Sequence, residues 1–240
     1  MTNAINEAQR IWFHGYNLTT ALNAVVLDYG VETQDNTTFT DSTRSMLGGL
    51  KTVTAQVEGF YEATPYDAAL FGDIGIADRP FSVASSGTAG AAAYSFKCLE
   101  GDYSPLKNSV GDIIGFSAGA KATDKLVRGT LMINAAGLTT SGNSGTARQL
   151  GAVGAGQKLY AILHATRMDG TSPTLDVTVK SDNAVGFSSP LTKVTFTQMN
   201  AIGSQWAEVS GAITDDYWRV DYAVGGSSLN IDFAVILAIL

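Results

Sequence analysis

Gly115-Phe-Ser-Ala-Gly119 spells Gly-x-Ser-x-Gly, the spacing that exposes a nucleophilic serine on a sharp strand-to-helix turn. Such a serine also needs an acid and a histidine to take its proton. His164 is the sole histidine downstream, and it lies in an alternating, strand-like run. Ala120 to Asp124 is brief and leads quickly into another strand pattern, so no helix is expected after Ser117. A hydrolase scaffold would also need helices between its strands. Small residues in a tightly packed strand account for the same letters, and Ser117 is given no catalytic role.

Other chemistry is sparse. Gly151-Ala-Val-Gly-Ala-Gly156 is glycine-rich but lacks the following Lys-Ser/Thr and helix of a phosphate cradle. His14, His164 and the single cysteine, Cys98, are too far apart in sequence for a ligand cluster. Asp182-Asn183 and Asp215-Asp216 carry oxygen ligands that a calcium ion accepts; turn formation by Asp and Asn is the favoured reading. The acids are scattered, with nothing to pair two of them across a cleft. Trp206, Trp218 and Tyr222 offer either a sugar-stacking platform or core packing, and their alternation with polar residues favours the core. No catalytic, cofactor-binding or metal-ligating residue is assigned, and no cofactor is expected.

The bulk properties point the same way. The chain has 240 residues, enough for one large core or two small ones, and 26 glycines to build turns. Charged residues make up 15%, against about 25% in an average soluble domain. A surface short of charge suits a protein covered by neighbours. The net charge of −7, with no Lys/Arg run, argues against adhesion to nucleic acid. An acidic wall would let DNA pass without sticking; solubility alone explains the same charge. A lone cysteine beside Phe96 reads as a packed thiol in a reducing compartment. Residues 1–8 form a polar leader without the basic start and apolar run of a signal peptide. No segment reaches the roughly 18 apolar residues of a membrane span.

The elements that must position any site are mostly strands. Val53, Ala55 and Val57 alternate with Thr52, Thr54, Gln56 and Glu58, a half-buried strand entered through Gly48-Gly49. Leu22 to Leu27 is a shorter strand upstream. Thr64 to Gly72, with Pro65 near the start, Asp67 in the first turn and Gly72 just past the end, predicts one short helix. Strands follow at 80–84, 91–99, 111–118 and 126–134. Residues 135–156 are rich in Gly, Ser and Thr and mark a boundary or a long connection. Six further strands are expected at 159–166, 175–180, 191–197, 206–210, 217–224 and 229–239. Asp169-Gly170, Ser181-Asp182-Asn183 and Gly225-Gly226 are expected to be turns between them. The fold class is all-β and mostly antiparallel, divided as residues 1–130 and a second β-sandwich over 131–240.

Between the first two strands lies Asp35-Asn-Thr-Thr-Phe-Thr-Asp-Ser-Thr-Arg-Ser45, nearly all hydroxyls, amides and acids. Long ordered loops of this kind are binding or assembly elements. The order strand, Asp-x-Thr-Thr-Phe-x-Asp-x-x-Arg, Gly-Gly-Leu-Lys, strand ending Gly-Phe-Tyr resembles the major tail tube protein of siphophage-type bacteriophages. Thr37, Thr38, Phe39, Asp41, Arg44, Gly49, Leu50, Lys51 and Gly59 carry the resemblance, over about the first 130 residues. It implies a tail-tube-type β-sandwich or barrel whose loop, with Leu47 added to the contact set, reaches a neighbouring subunit or the next ring. The second half, chiefly Tyr217-Trp-Arg-Val220 and the closing strand, looks like the segment appended outside the ring in some tail proteins.

The resemblance implies a structural, non-enzymatic subunit of a virion tail, assembled in the host cytoplasm. Its copies would form homo-hexameric rings stacked into a tube that conducts viral DNA without binding it. Its other partners would be a tape measure protein and tail terminator and initiator proteins, with no membrane. The alternative is a glycan-binding, host-adhesion module carried by residues 131–240.

Overall fold

Strands account for most of the chain because β-branched and aromatic residues alternate with polar ones along it, the pattern that fits a pleated surface. The computed structural model describes residues 9–109 and 111–240, so the polar leader over 1–8 lies outside the described residues. In chain order the strands are β1 (Arg10–Phe13), β2 (Tyr16–Asn17), β3 (Leu22–Asp35), β4 (Met46–Phe60), β5 (Arg79–Ala84), β6 (Ala92–Lys107), β7 (Gly115–Ala122) and β8 (Val127–Leu138). They continue as β9 (Gly142–Asn143), β10 (Arg148–Gln149), β11 (Lys158–Asp182), β12 (Leu191–Thr195), β13 (Gly203–Ser210) and β14 (Tyr217–Ile239). A π-helical turn, Ala63–Asp67, runs into α1 (Ala68–Asp73), the one α-helix among the described residues. The expected helix is therefore present, but Gly72 lies inside it and Ile74 takes the capping position. Every registered pairing between named strands is antiparallel.

Contacts divide the chain into two units that are discontinuous in sequence and follow other limits than 1–130 and 131–240. The first gathers residues up to Thr20 with Pro80–Ser95 and Val127–Leu240. Its strand order is β12-β11-β14-β8-β6-β5-β1-β2, with β13 also on β11 and β9 and β10 on β14. The physical reason for the interleaving is pairing. Arg10–Phe13 bonds to 81–84, and Ala92–Ser95 to 127–130, so early segments complete the sheet of the late ones.

Strands β11 and β14 are buried on both faces over residues 159–165 and 233–238, which explains the near-continuous apolar runs there. Leu159, Ala161, Leu163, Phe233, Val235 and Leu237 enter one cluster with Trp218. Tyr160, Ile162 and Ile236 enter another with Trp12 and Leu131. His164 also points inward and is fully buried. Its Nε2 lies 2.9 Å from the Ser82 hydroxyl. Burial pushes the imidazole down to about 3, so it is neutral at ordinary pH.

Two expected turns are corrected here. Asp169-Gly170 and Gly225-Gly226 do not end strands; β11 and β14 run through them, pairing from Leu159↔Ile239 to Asp182↔Tyr217. The register slips between Asp169 and Thr174, and Gly170 and Gly226 have φ of +135° and +113°. Glycine supplies these angles without a Cβ clash, so each pair makes a bulge that bends a long strand. The six strands expected after residue 156 are consequently four. The turn at Asp182 is present: its carboxylate accepts the Ala184 and Ser189 amides at 3.1 and 2.8 Å.

The second unit contains Ala21–Arg79 and Phe96–Leu126. Within it β4 pairs with β3 on one side and β7 on the other, and β7 pairs with β6. Val53, Ala55 and Val57 share their buried face with Phe116, Ala118 and Ala120 of β7. Cys98 is buried in β6, its thiol donating to the Arg79 carbonyl at 3.2 Å and pushed up to about 12, chiefly by burial.

Candidate assembly surface on the β3–β4 hairpin

β4 leaves its second partner early. Its ladder with β7 starts at Thr54↔Lys121, whereas its ladder with β3 continues to Asp35↔Met46. From Tyr29↔Val53 outward the two strands form a ribbon on their own. A two-stranded ribbon is marginal in water unless something covers it, and this one carries apolar residues in the open. Tyr29, Val31, Met46 and Leu47 are exposed, and Leu50 is 76% exposed. Sequence reading ends the first strand at Leu27 and places Gly48-Gly49 at the entry to the second. In the structure both strands run further, and Gly48 pairs with Thr33 inside the ladder.

The tip, residues 36–45, is held by its own polar side chains. The Asn36 amide donates to the Ser45 carbonyl at 3.1 Å, and the Ser45 amide to the Thr37 hydroxyl at 2.9 Å. The Thr37 amide donates to Asp35 at 2.9 Å, and hydrogen bonds from Thr37 hold that carboxyl below its usual range. Asp41 Oδ2 accepts the Thr38 amide at 2.7 Å and the Thr38 hydroxyl at 3.0 Å, while the Asp41 amide returns a bond to the Thr38 carbonyl at 3.0 Å. This reciprocal clasp builds a turn that leaves the Phe39 ring wholly in solvent, at 112% exposure. Asp41→Ala removes both carboxylate bonds at an exposed site. It should leave global stability within about 1 kcal/mol while speeding amide exchange at Thr38, which hydrogen-exchange mass spectrometry would read.

The residues singled out in the sequence thus fall in two groups. Thr37, Thr38, Phe39, Asp41 and Arg44 sit in the tip, and Leu47, Gly49, Leu50 and Lys51 lie on β4; all are exposed. Near the base of the ribbon, Tyr29, Lys51, Val53 and the chain from Lys121 to Leu126 enclose a groove of about 420 Å³. The Lys51 ammonium stands 6.0 Å from the Tyr29 ring centroid, in cation–π range. Sequence reading missed the groove, since its walls meet only through the pairing of β4 with β7.

The other candidate sites dissolve into structure. Ser117 lies within β7, opposite Glu58 and Ser104. The strand continues to Ala122 and turns into β8, so the strand-to-helix elbow is not formed. The glycines at 151–156 make a turn in which Gly154 and Gln157 exchange bonds at 2.9 and 3.0 Å. Asp215 accepts the Ser181 hydroxyl at 2.7 Å and pairs with Lys193 at 3.4 Å; Asp216 accepts the Gln149 amide at 2.6 Å. Among the described residues no group of three His, Cys, Asp or Glu is arranged to hold a metal.

The three aromatics form no platform. Trp218 is fully buried, donating to the Gly151 carbonyl at 2.9 Å. Tyr222 packs edge-on to Phe233 in one cluster, and Trp206 edge-on to Tyr160 in the other. No helix among the described residues is long and apolar enough to cross a membrane.

No family model matches the chain, and no curated protein does. Several solved structures are similar to it. A chain from the virion of a native gene transfer agent particle shares 16% identity over 52% of this chain and 97% of that one, with a TM-score of 0.40. A chain from the sheath/tube terminator of the extracellular contractile injection system PVC, in its extended state, shares 9% over 53% and 97%, with a TM-score of 0.44. The Dit (gp 19.1) protein of phage SPP1, described as a paradigm of hub adsorption apparatus, shares 11% over 97% and 99%, with a TM-score of 0.40.

Proposed function

We propose that this chain is a structural subunit of a bacteriophage-type tail, joining copies of itself into hexameric rings that stack into a tube for DNA. The observation that carries the reading is the bare ribbon beyond Tyr29↔Val53. An ordered polar tip and a row of exposed apolar side chains are what a subunit interface needs and what a monomer would avoid. Strand β3 adds an edge: among the described strands it pairs with β4 alone, and an open edge is a template for another chain. It has no proline, one of the devices that blunt such edges. The low share of charged residues, 15%, fits a surface covered by neighbours.

In this reading Thr37, Thr38, Phe39, Asp41, Arg44, Leu47, Gly49, Leu50 and Lys51 contact a neighbouring copy or ring. The subunit belongs to a virion tail of the siphophage type, assembled in the host cytoplasm, with a tape measure protein and terminator and initiator proteins as further partners. Residues 131–240, with the early strands that complete their sheet, supply the outer decoration. The net charge of −7 keeps DNA moving through the lumen. Negative-stain electron microscopy of the purified protein tests this directly. Rings or tubes about 100 Å across are expected from domain-size scaling, and a protein that stays monomeric at every concentration would end the reading.

A further inference from the structure

The hairpin carries both a knob and a socket, and they cannot meet within one molecule. The knob is Phe39, fully in solvent on its clasped turn, with Asp35 and Asp41 beside it and Arg44 further along. The socket is the groove at the ribbon's base, with Tyr29, Val53 and Leu126 as its apolar walls. Three lysines, Lys51, Lys121 and Lys125, line it, and its one carboxylate, Asp124, stands 3.7 Å from Lys97. An aromatic flanked by acids thus faces, in kind, an apolar slot rimmed by cations. The space of about 420 Å³ accepts one aromatic ring with its flanking turn.

The two features lie on one ladder. The six steps from Tyr29 to Asp35, at about 3.3 Å each, hold them roughly 20 Å apart along paired strands, so the tip cannot fold back onto its own base. We propose that the Phe39 tip of one copy seats in the Tyr29–Leu126 groove of the next. This rests on the reading of the hairpin as an assembly arm and names the surface that receives it. The contact is head-to-tail: each copy gives a tip and takes one. Such a contact propagates into a closed ring or an open filament and never stops at a symmetric pair. The attraction between tip and groove also falls with added salt, because the carboxylates and ammoniums lie at the surface.

The test separates the halves of the joint in the full-length chain. Phe39→Asp disables the tip and leaves the groove; Lys51→Glu with Lys121→Glu disables the groove and leaves the tip. All three positions are exposed, so both variants should keep the wild-type circular dichroism and, below the assembly threshold, the wild-type melting curve. By sedimentation velocity each alone should need at least a tenfold higher concentration to assemble. Mixed in equal amounts, the two should form one-to-one dimers that grow no further, since only one joint is intact. Asp41→Lys combined with the groove substitutions in one chain should restore part of the assembly. A groove variant that assembles like the wild type while Phe39→Asp does not would overturn this inference and leave the arm reading standing. A mixture that stays monomeric would also overturn it, and wild-type assembly by both variants would remove the arm reading as well.

Discussion

A chain in which residues 37–45 are replaced by a single glycine should fold as the wild type does and should not polymerise. The fold should survive because the tip's hydrogen bonds stay within the hairpin end. Asp35 and Met46 are the last ladder pair, so the shortened chain closes on Asn36 followed by the new glycine. That dipeptide supplies the positive φ angles of the turn favoured in two-residue hairpins. Stability of the unassembled subunit should therefore change by no more than about 1 kcal/mol. Assembly should fall far more, because a buried aromatic anchor at an interface is worth about 2–4 kcal/mol. At about 1.4 kcal/mol per factor of ten, that is roughly 30- to 1,000-fold in the concentration needed. Sedimentation velocity gives the threshold and electron microscopy the product. Tubes of wild-type length from this chain would remove the tip from the assembly mechanism.

The strand over Val53, Ala55 and Val57 was legible in the sequence because one face is buried and the other is not. Two-fold alternation records that asymmetry. The outer ribbon was illegible for the same reason. Between Tyr29 and Gln34, and between Met46 and Lys51, both faces meet solvent, so nothing imposes a pattern. Exposed apolar residues without alternation are what remains when a segment packs against nothing in its own chain. The bulges at Gly170 and Gly226 failed differently: a glycine pair reads the same whether a strand turns back or bends and continues. Only the partner strand decides, and that partner is over 50 residues away at Thr171↔Ser227. The division into units has the same origin. The boundary-like composition of 135–156 is real, yet the sheet after it is completed by strands from before it. Local letters record burial of one face; they do not record which distant edge is being joined.

Glu100 is the group the sequence concealed most completely, and it sets the largest expected pH effect. The strand expected at 91–99 stops one residue short of it, and nothing in Glu100-Gly-Asp102 marks it as buried. The chain after α1 comes over it instead: Ile74 bridges to Glu100 in parallel, and the Gly75 amide donates to the Glu100 carbonyl at 3.0 Å. Its side chain is buried, and neither carboxyl oxygen has a hydrogen-bond partner. Burial first, then the charges of Asp73 and Asp102, push it up to about 8 from 4.5. Asp73 keeps its own charge company with Arg79 at 3.0 Å.

A carboxyl with a higher pKa in the folded state binds more protons there than in the unfolded chain. Its contribution is intact below about pH 4.5 and is lost as pH rises toward 8. At about 1.4 kcal/mol per unit the ceiling of that loss is about 5 kcal/mol. Glu100→Gln is neutral at every pH and nearly the same shape. It should match the wild type within about 1 kcal/mol at pH 4.5 and exceed it by several kcal/mol at pH 8. Urea unfolding at the two pH values, carried out in the tip-shortened chain so that assembly does not add to stability, gives the comparison. An equal gap at both pH values between the chain that keeps Glu100 and the one carrying Glu100→Gln would mean the carboxyl is not held protonated by the fold.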